Sequence, residues 1–154
     1  MNVNTANTFL GATTIAGGTG VVLGSGGQDG RSGGNVILQG TGVLELAFGG
    51  QTFDNNITGA ALSTVKVSGA GVTITPNSDN NAFAGTWEIT GSANISNTAA
   101  AVISHVGSAS KVNLKGGTLN LETTDSAGLS FGHVLTGNGV LHVTFNSGPS
   151  HFAF

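Results

Sequence analysis

Three aspartates are the residues of this chain best suited by type and spacing to acid–base chemistry. Each of them precedes a glycine of a repeat described below, by 11 residues for Asp29 and by 12 residues for Asp79 and Asp125. If each repeat forms one coil, this spacing would place the three carboxylates along one edge of the stacked coils. Such lines of carboxylates cleave polysaccharides by general acid–base catalysis or hold calcium. Those sites gather several acids with Lys or Arg, whereas this chain has seven acidic residues in all. Isolated turn aspartates are the favoured interpretation, and a polysaccharide hydrolase or lyase is the alternative.

Two further patterns resemble sites of chemistry. Residues 30–34 match Gly-x-Ser-x-Gly around Ser32, but a nucleophile elbow needs a strand before the serine and a helix after it, and this stretch is a glycine-rich linker. His133, His142 and His151 lie nine residues apart, an odd spacing that does not keep strand residues on one face. His133 is expected to face inward and His142 outward. Cysteine is absent, which excludes thiolate and disulfide chemistry. We therefore expect no catalytic residue, no metal and no cofactor.

The composition is that of a repetitive all-β domain with few charges. Gly, Thr, Asn and Ser make up nearly half of the 154 residues, while Leu, Ile, Val and Phe are frequent enough to form a core. Four basic residues against seven acidic ones cannot neutralise a nucleic-acid backbone or hold an anionic membrane surface. No apolar run is long enough to span a bilayer. We expect a single domain without a nucleic-acid partner and without membrane insertion.

A five-residue pattern of the form x-x-apolar-x-Gly recurs six times and indicates the architecture. Its glycines lie 23, 29, 22, 25 and 21 residues apart, and an alternating apolar pair follows each of them. Alternation with period two places one set of side chains on one face of a strand. A glycine between two strands allows a sharp corner where a Cβ would crowd the neighbouring coil. The predicted corner glycines are Gly17, Gly40, Gly69, Gly91, Gly116 and Gly137.

Two or three short strands in every 21–25 residues predict one coil of a parallel β-helix, so residues 1–154 form a single all-β solenoid of about six coils. A β-sandwich is the alternative, but it has no reason to repeat a corner glycine. Residues 97–106 are expected to form a loop, and Trp87 is expected to fill the core. The predicted inward residues are Ile15, Leu38, Leu44, Leu46, Val67, Ile74, Ile89, Ile95, Leu114, Leu119, Leu121, Leu135, Leu141 and Val143.

Two irregular stretches interrupt the period. Residues 24–34 contain six glycines together with Asp29 and Arg31, which predicts a mobile loop. The long interval between Gly40 and Gly69 predicts that residues 54–62, beginning with Asp54, bulge from the rod. Because insertions in solenoids often carry binding sites, Asp29, Arg31 and Asp54 mark possible binding loops.

Residues 7–17 and 81–91 match each other at Asn, Phe, Gly, Ile and Gly. This unit resembles the autotransporter-associated β-strand repeat of Gram-negative autotransporter passenger domains, and residues 135–143 are similar to passenger sequence near the end of the β-helix. The resemblance implies a right-handed β-helix on the bacterial cell surface, at the outer membrane, or secreted from it. It also implies a role in adhesion, aggregation or biofilm formation. The chain has neither a signal peptide nor a translocator barrel, so we expect a fragment of a longer passenger.

These observations predict a non-catalytic segment that acts in adhesion, in self-association or as a stem presenting a binding tip. Its expected partners are a host or bacterial surface ligand or other copies of itself. Outward rows of Thr, Asn and Ser would supply weak polar contacts along a long surface. Unpaired strand edges at the ends of a solenoid also predict end-to-end association.

Overall fold

The computed structural model describes residues 1–3, 10–24, 32–75, 82–107, 109–124, 126, 128–146 and 151–154. Across these ranges the chain forms short strands and one helix. Every strand pairing is parallel. The elements are β1 (Asn2–Val3), β2 (Thr13–Ile15), β3 (Gly20–Leu23), β4 (Val36–Leu38), β5 (Val43–Leu46), β6 (Thr52–Phe53), β7 (Ile57–Gly59), β8 (Thr64–Val67), β9 (Val72–Ile74), β10 (Thr86–Ile89), β11 (Ser92–Asn97), α1 (Ala99–Val106), β12 (Lys111–Leu114), β13 (Thr118–Thr123), β14 (Leu129–Ser130), β15 (Val134–Gly137), β16 (Val140–Phe145) and β17 (Phe152–Ala153).

Successive strands are shared among the three sides of a coil. Sheet 1 has the order β1-β3-β5-β8-β10-β12-β15, and sheet 2 has the order β6-β9-β11-β13-β16. The third side is formed by two short sheets, β2-β4-β7 and β14-β17. Neighbours within a sheet come from consecutive coils, so the chain is a parallel β-solenoid of about five turns. The predicted fold class is confirmed, with about five turns instead of the predicted six coils, and the β-sandwich alternative is excluded because its sheets are antiparallel.

The core is a set of stacked apolar rows inside the coils. Of the fourteen predicted inward residues, eleven are at most 3% exposed, and Trp87 is 2% exposed. We call one layer of stacked strands, contributed by a single coil, a rung. The other three residues lie on the last rung and are half-buried against the core; they are Leu135, Leu141 and Val143. They are covered from one side only, since β15 and β16 end their sheets. Burial of these rows is the main favourable term for folding.

The six sequence repeats are not equivalent in the structure, which corrects the predicted register. The first two copies, β2 and β4, lie on the third side, whereas β8, β10, β12 and β15 lie in sheet 1. The apolar pair of β5 is accordingly in register with Val65 and Val67 of β8, not with the pair of β9. The interval from Gly40 to Gly69 is long because it spans one whole coil and one further side. The predicted bulge at residues 54–62 is wrong, since Ile57–Gly59 is strand β7 and Ile57 is fully buried.

A column of glycines marks the corner between sheets 1 and 2. A Cβ added to Gly69, Gly91, Gly117 or Gly139 would meet, respectively, the carbonyl oxygen of Phe48, Gly69, Gly91 or Gly117 in the coil below. Two of the predicted corner glycines are therefore offset from this column, by one and by two residues. Gly116 has open space around its Cβ position, and Gly137 is in register with Leu114, so Gly117 and Gly139 complete the column.

The helix α1 replaces a strand on the third side, so the predicted loop at residues 97–106 is wrong. Thr98 begins the helix, because its hydroxyl accepts from the Ala101 N–H at 3.4 Å and its carbonyl accepts from the Val102 N–H at 2.9 Å. Val102 and Val106 are buried, and the indole N–H of Trp87 donates to the Val106 carbonyl at 2.8 Å. Core burial of the helix outweighs its modest length. No helix in the described part of the chain combines the length and the apolar character needed to cross a membrane.

Candidate functional site

The residues predicted to do chemistry are not brought together in the described part of the chain. Asp29, Arg31, Asp79 and Asp125 lie outside the described residues, so the carboxylate line has no geometry to report. Asp54 is exposed between β6 and β7. Within the described ranges, no group of three or more His, Asp or Glu side chains is placed to hold a metal ion.

Ser32 has a structural environment. It is 7% exposed, and its hydroxyl donates to the Gly34 carbonyl at 2.9 Å and lies 3.2 Å from the hydroxyl of Thr13. The element that follows it is strand β4 rather than a helix, so the geometry of a nucleophile elbow is not met. These contacts tie the segment before β4 to β2 in the coil below.

The histidines do not share a face. His142 is exposed on the outside of sheet 2, and His151 is exposed before β17. His133 is 8% exposed, its ring centroid lies 4.6 Å from that of Phe131, and its Nδ1 lies 3.2 Å from the Ser110 carbonyl oxygen. An Nδ1–H that donates to this carbonyl leaves Nε2 buried without a hydrogen-bond partner. Burial lowers the pKa of His133, and the bond to Ser110 opposes this only in part.

The lowered pKa of His133 predicts a loss of stability in mild acid. The unfolded chain takes up a proton near about pH 6.5, whereas the folded chain keeps His133 neutral to lower pH. The free energy of unfolding therefore decreases as the pH falls below that value, and the full stability of the folded chain is present above it. We expect thermal melts between about pH 7 and pH 5 to show a falling Tm, and His133→Gln to flatten the dependence. An unchanged slope in His133→Gln, with His142→Gln as the exposed control, contradicts this assignment.

The outer face of sheet 2, which we call the polar face, has a central row with one hydrogen-bonding side chain on each strand. Its central row is set by strand register and runs along five consecutive strands. The side-chain amide of Asn120 donates to the amide oxygen of Asn94 at 2.7 Å, linking two rungs. The side-chain N–H groups of Asn94 and the side-chain oxygen of Asn120 take no part in that bond. The residues of the row are Thr52, Thr73, Asn94, Asn120 and His142.

A second row on the polar face contains its one described charge. Ser96, Glu122 and Thr144 are in register, and Glu122 accepts hydrogen bonds from Asn146 on the next coil and from Ser96. These bonds, that of Asn146 first, lower the pKa of Glu122, so the carboxylate is ionised and held in place. A shallow groove of about 170 Å³ runs between the two rows. The polar face is thus a regular array of hydrogen-bond donors and acceptors.

The outer face of sheet 1 is different in chemistry. Glu45, Lys66 and Glu88 lie in register on consecutive rungs, so opposite charges alternate along the stack. Lys115 approaches Glu88 at 2.7 Å, and the Ser68 hydroxyl donates to Glu45 at 2.7 Å. Exposed ion pairs of this kind contribute about 0–1 kcal/mol. This face therefore satisfies much of its own charge, whereas the polar face has spare hydrogen-bonding groups.

The residues that lie between the two apolar positions after each repeat glycine do not form one row in the structure, because they are divided between two sheets. Val22 and Glu45 belong to sheet 1, while Thr73, Asn94, Asn120 and His142 belong to sheet 2. Thr52 of β6 also belongs to the sheet 2 row, although it does not follow a repeat glycine. The signal that could have revealed the division is the 29-residue interval from Gly40 to Gly69, which is one side longer than a coil.

Comparison of the chain with models of protein families, with curated proteins and with solved structures finds no match.

Proposed function

We propose that this chain is a non-catalytic β-solenoid segment that makes multivalent polar contacts through the polar face, in adhesion or self-association. The observation that carries the proposal is the in-register row from Thr52 to His142, with one polar side chain on each strand and with hydrogen-bonding groups of Asn94 and Asn120 outside their mutual bond. Its partners are a host or bacterial surface ligand or a second copy of the chain. Its location is the bacterial cell surface, as part of an exported passenger, or the secreted fraction.

The physical basis of the proposal is avidity. A single exposed hydrogen bond contributes about 0.5–1.5 kcal/mol net, which is too little for specific attachment by one residue. Rungs of a parallel sheet repeat at about 4.8 Å, so a partner that bonds to one rung is positioned to bond to the next. Many copies displayed on one surface multiply this effect without new contacts. A regular array of polar side chains along the stack suits this mode of binding.

The resemblance to autotransporter passenger repeats supports the proposed location through local pattern. In the second matching segment, Phe83 and Ile89 are buried, and Gly91 belongs to the glycine column. In the first segment, Ile15 is also buried, but it lies on the third side of the coil, whereas Ile89 lies in sheet 1. The two segments therefore share a strand–corner pattern rather than one place in the coil.

The test is clustering of beads that carry the chain, since beads report both self-association and attachment to cells. The triple variant Thr73→Ala, Asn94→Ala and Asn120→Ala removes three rungs of the row, and we expect clustering and cell attachment to fall at least about tenfold. The matched control is Thr64→Ala, Thr86→Ala and Asn113→Ala, which alters the outer face of sheet 1. Equal behaviour of the two triple variants would overturn the proposal.

A second readout addresses the carbohydrate-active alternative. The chain is incubated with a panel of polysaccharides, and release of reducing sugar is measured. We expect no turnover, because the proposed contacts involve no acid–base pair. Turnover that Asp79→Asn abolishes would overturn the non-catalytic proposal and support a hydrolase or lyase.

A further inference from the structure

The groove between the two rows of the polar face has both hydrogen-bond donors and hydrogen-bond acceptors available. The side-chain oxygen of Asn94 accepts from Asn120, so the two side-chain N–H groups of Asn94 are available to a ligand. The side-chain oxygen of Asn120 is available as an acceptor. Thr144, which lines the groove on β16, is exposed and has a hydroxyl that can donate and accept. A ligand that fits these groups must itself donate and accept.

Glu122 adds a carboxylate to the wall of the groove. It lies two residues after Asn120 on β13, so the two side chains stand on the same face of the strand. Glu122 accepts hydrogen bonds from Asn146 and Ser96, and both of these partners are neutral. An ionised carboxylate has about four acceptor positions, so about two remain open toward the groove. The groove is therefore negatively charged, and it would repel an anion.

These groups distinguish between classes of ligand. Ionised phosphate, sulfate and carboxylate groups only accept hydrogen bonds, so they would leave the acceptors of the groove unpaired and would be repelled by Glu122. An ammonium group only donates, so it would leave the N–H groups of Asn94 unpaired. A hydroxyl group does both, and two neighbouring hydroxyls can donate to the carboxylate while they accept from the amide. The groove therefore matches an uncharged ligand with several hydroxyl groups.

The groove follows the stack over three strands. Its lining residues belong to β11, β13 and β16, and two intervals of about 4.8 Å make it roughly 10 Å long. This length exceeds one sugar ring, so a chain of sugars can present hydroxyl groups to each strand in turn. A coil that follows β16 would add a strand beside it and lengthen this face, rather than cover it. The groove thus suits a polysaccharide that lies along the stack.

From these groups we infer that the groove binds a neutral, hydroxyl-rich polysaccharide. This ligand would be the partner of the same polar face, so its assignment rests on the proposed function. Each sugar contributes a few exposed hydrogen bonds, and repetition along the polysaccharide supplies the affinity.

Gels that contain polysaccharides of different charge test the inference. Native electrophoresis at about pH 8, where histidines of ordinary pKa are neutral, measures how strongly each polysaccharide retards the chain. The neutral probes are dextran, hydroxyethyl cellulose and galactomannan. The charged probes are the carboxymethyl and the diethylaminoethyl derivatives of the neutral probe that retards the chain. We expect a neutral probe to retard the chain and its carboxymethyl derivative not to do so.

Two variants with the same change in charge report on the groove itself. Glu122→Gln and Glu88→Gln each remove one carboxylate, from the outer faces of sheet 2 and sheet 1 respectively. On the neutral probe we expect Glu122→Gln to bind about fivefold more weakly, since a carboxylate is a stronger acceptor than an amide oxygen. On the carboxymethyl derivative we expect Glu122→Gln, which lacks the repelling charge, to be retarded. Glu88→Gln should match the unsubstituted chain on both probes.

A second pair of variants addresses the donors of the groove. Asn94→Ala removes the side-chain N–H groups, and we expect it to weaken retardation by the neutral probe. Asn113→Ala, on the outer face of sheet 1, is the matched control and should have no effect. Circular dichroism and thermal melts establish that each variant is folded, and the Asn94 pair replaces the Glu122 pair if Glu122→Gln is not.

The outcomes separate this inference from the proposed function. A chain that none of the neutral probes retards, but whose bead clustering still depends on the polar face, overturns the inference and leaves the proposed function standing. Equal retardation of Glu122→Gln and Glu88→Gln by the neutral probe also overturns it, since binding then occurs outside the groove. A loss in Glu122→Gln that is greater on the diethylaminoethyl derivative than on the neutral probe overturns it in favour of an ammonium partner.

Discussion

Gly91→Ala is expected to unfold the chain or to destabilise it by more than about 3 kcal/mol. A Cβ at this position would lie 2.6 Å from the Ser68 carbonyl oxygen and closer still to that of Gly69. Both obstacles are backbone atoms of the coil below, so no rotamer change relieves the contact. Relief requires the two coils to separate, which breaks the parallel pairing of β8 with β10 and exposes the apolar rows between them.

The matched control for this prediction is Gly132→Ala. A Cβ on Gly132 meets no atom within 4 Å, and the residue is exposed. We expect this change to alter stability by no more than about 0.5 kcal/mol, the range of neutral surface substitutions. Urea denaturation followed by circular dichroism measures both variants. If Gly91→Ala unfolds at the same urea concentration as Gly132→Ala, the glycine column is not what lets the coils nest.

Insertion of one alanine between Asn113 and Leu114 has the second large expected effect, a loss of more than about 4 kcal/mol. The insertion shifts the end of β12 by one residue, so the inserted alanine takes the inward position and Leu114, which is 3% exposed, turns outward. The alanine leaves a cavity in the inward row, and the apolar side chain of Leu114 becomes exposed to water. We expect β12 to separate from β10 and β15, with loss of the cooperative melt.

A glycine inserted after Gly116 is the control for the register prediction. The corners between sheets 1 and 2 already vary in length, with four residues after β8, two after β10, three after β12 and two after β15. One more residue makes the β12 corner equal in length to the β8 corner. We expect a cost below about 1 kcal/mol, since loop closure depends weakly on length. Equal melting temperatures for the two insertions would show that the inward rows do not set the register.

The inward rows could be predicted from the sequence because their period is enforced by burial on every coil. Ile89, Ile95 and Leu121 alternate with polar neighbours, and a one-residue slip would expose all of them. The sequence does not indicate which side of the coil a strand occupies, because strands on all sides alternate apolar and polar residues in the same way. The first two repeats therefore looked like the later four, and Gly17 and Gly40 were placed at a corner that Gly69 and Gly91 do not share.

The helix and the polar face show a second limit of sequence reasoning. Residues 99–106 carry weak helix signals. The helix is favourable because it buries Val102 and Val106 in the core from its place on the third side. The outward position of Asn94 and Asn120 follows from alternation, but the bond between their side chains depends on the register of β11 on β13. That register is a long-range property, and local pattern does not contain it.

Site-specific blocking of the polar face tests the central claim most directly. The chain contains no cysteine, so Asn94→Cys and Thr86→Cys each provide one thiol, on the outside of sheet 2 and of sheet 1 respectively. A bulky maleimide polymer is attached to each, and bead clustering and cell attachment are measured before and after coupling. We expect coupling at position 94 to abolish both bead clustering and cell attachment, and coupling at position 86 to leave both intact. Retention of clustering and attachment after coupling at position 94 would contradict the proposal.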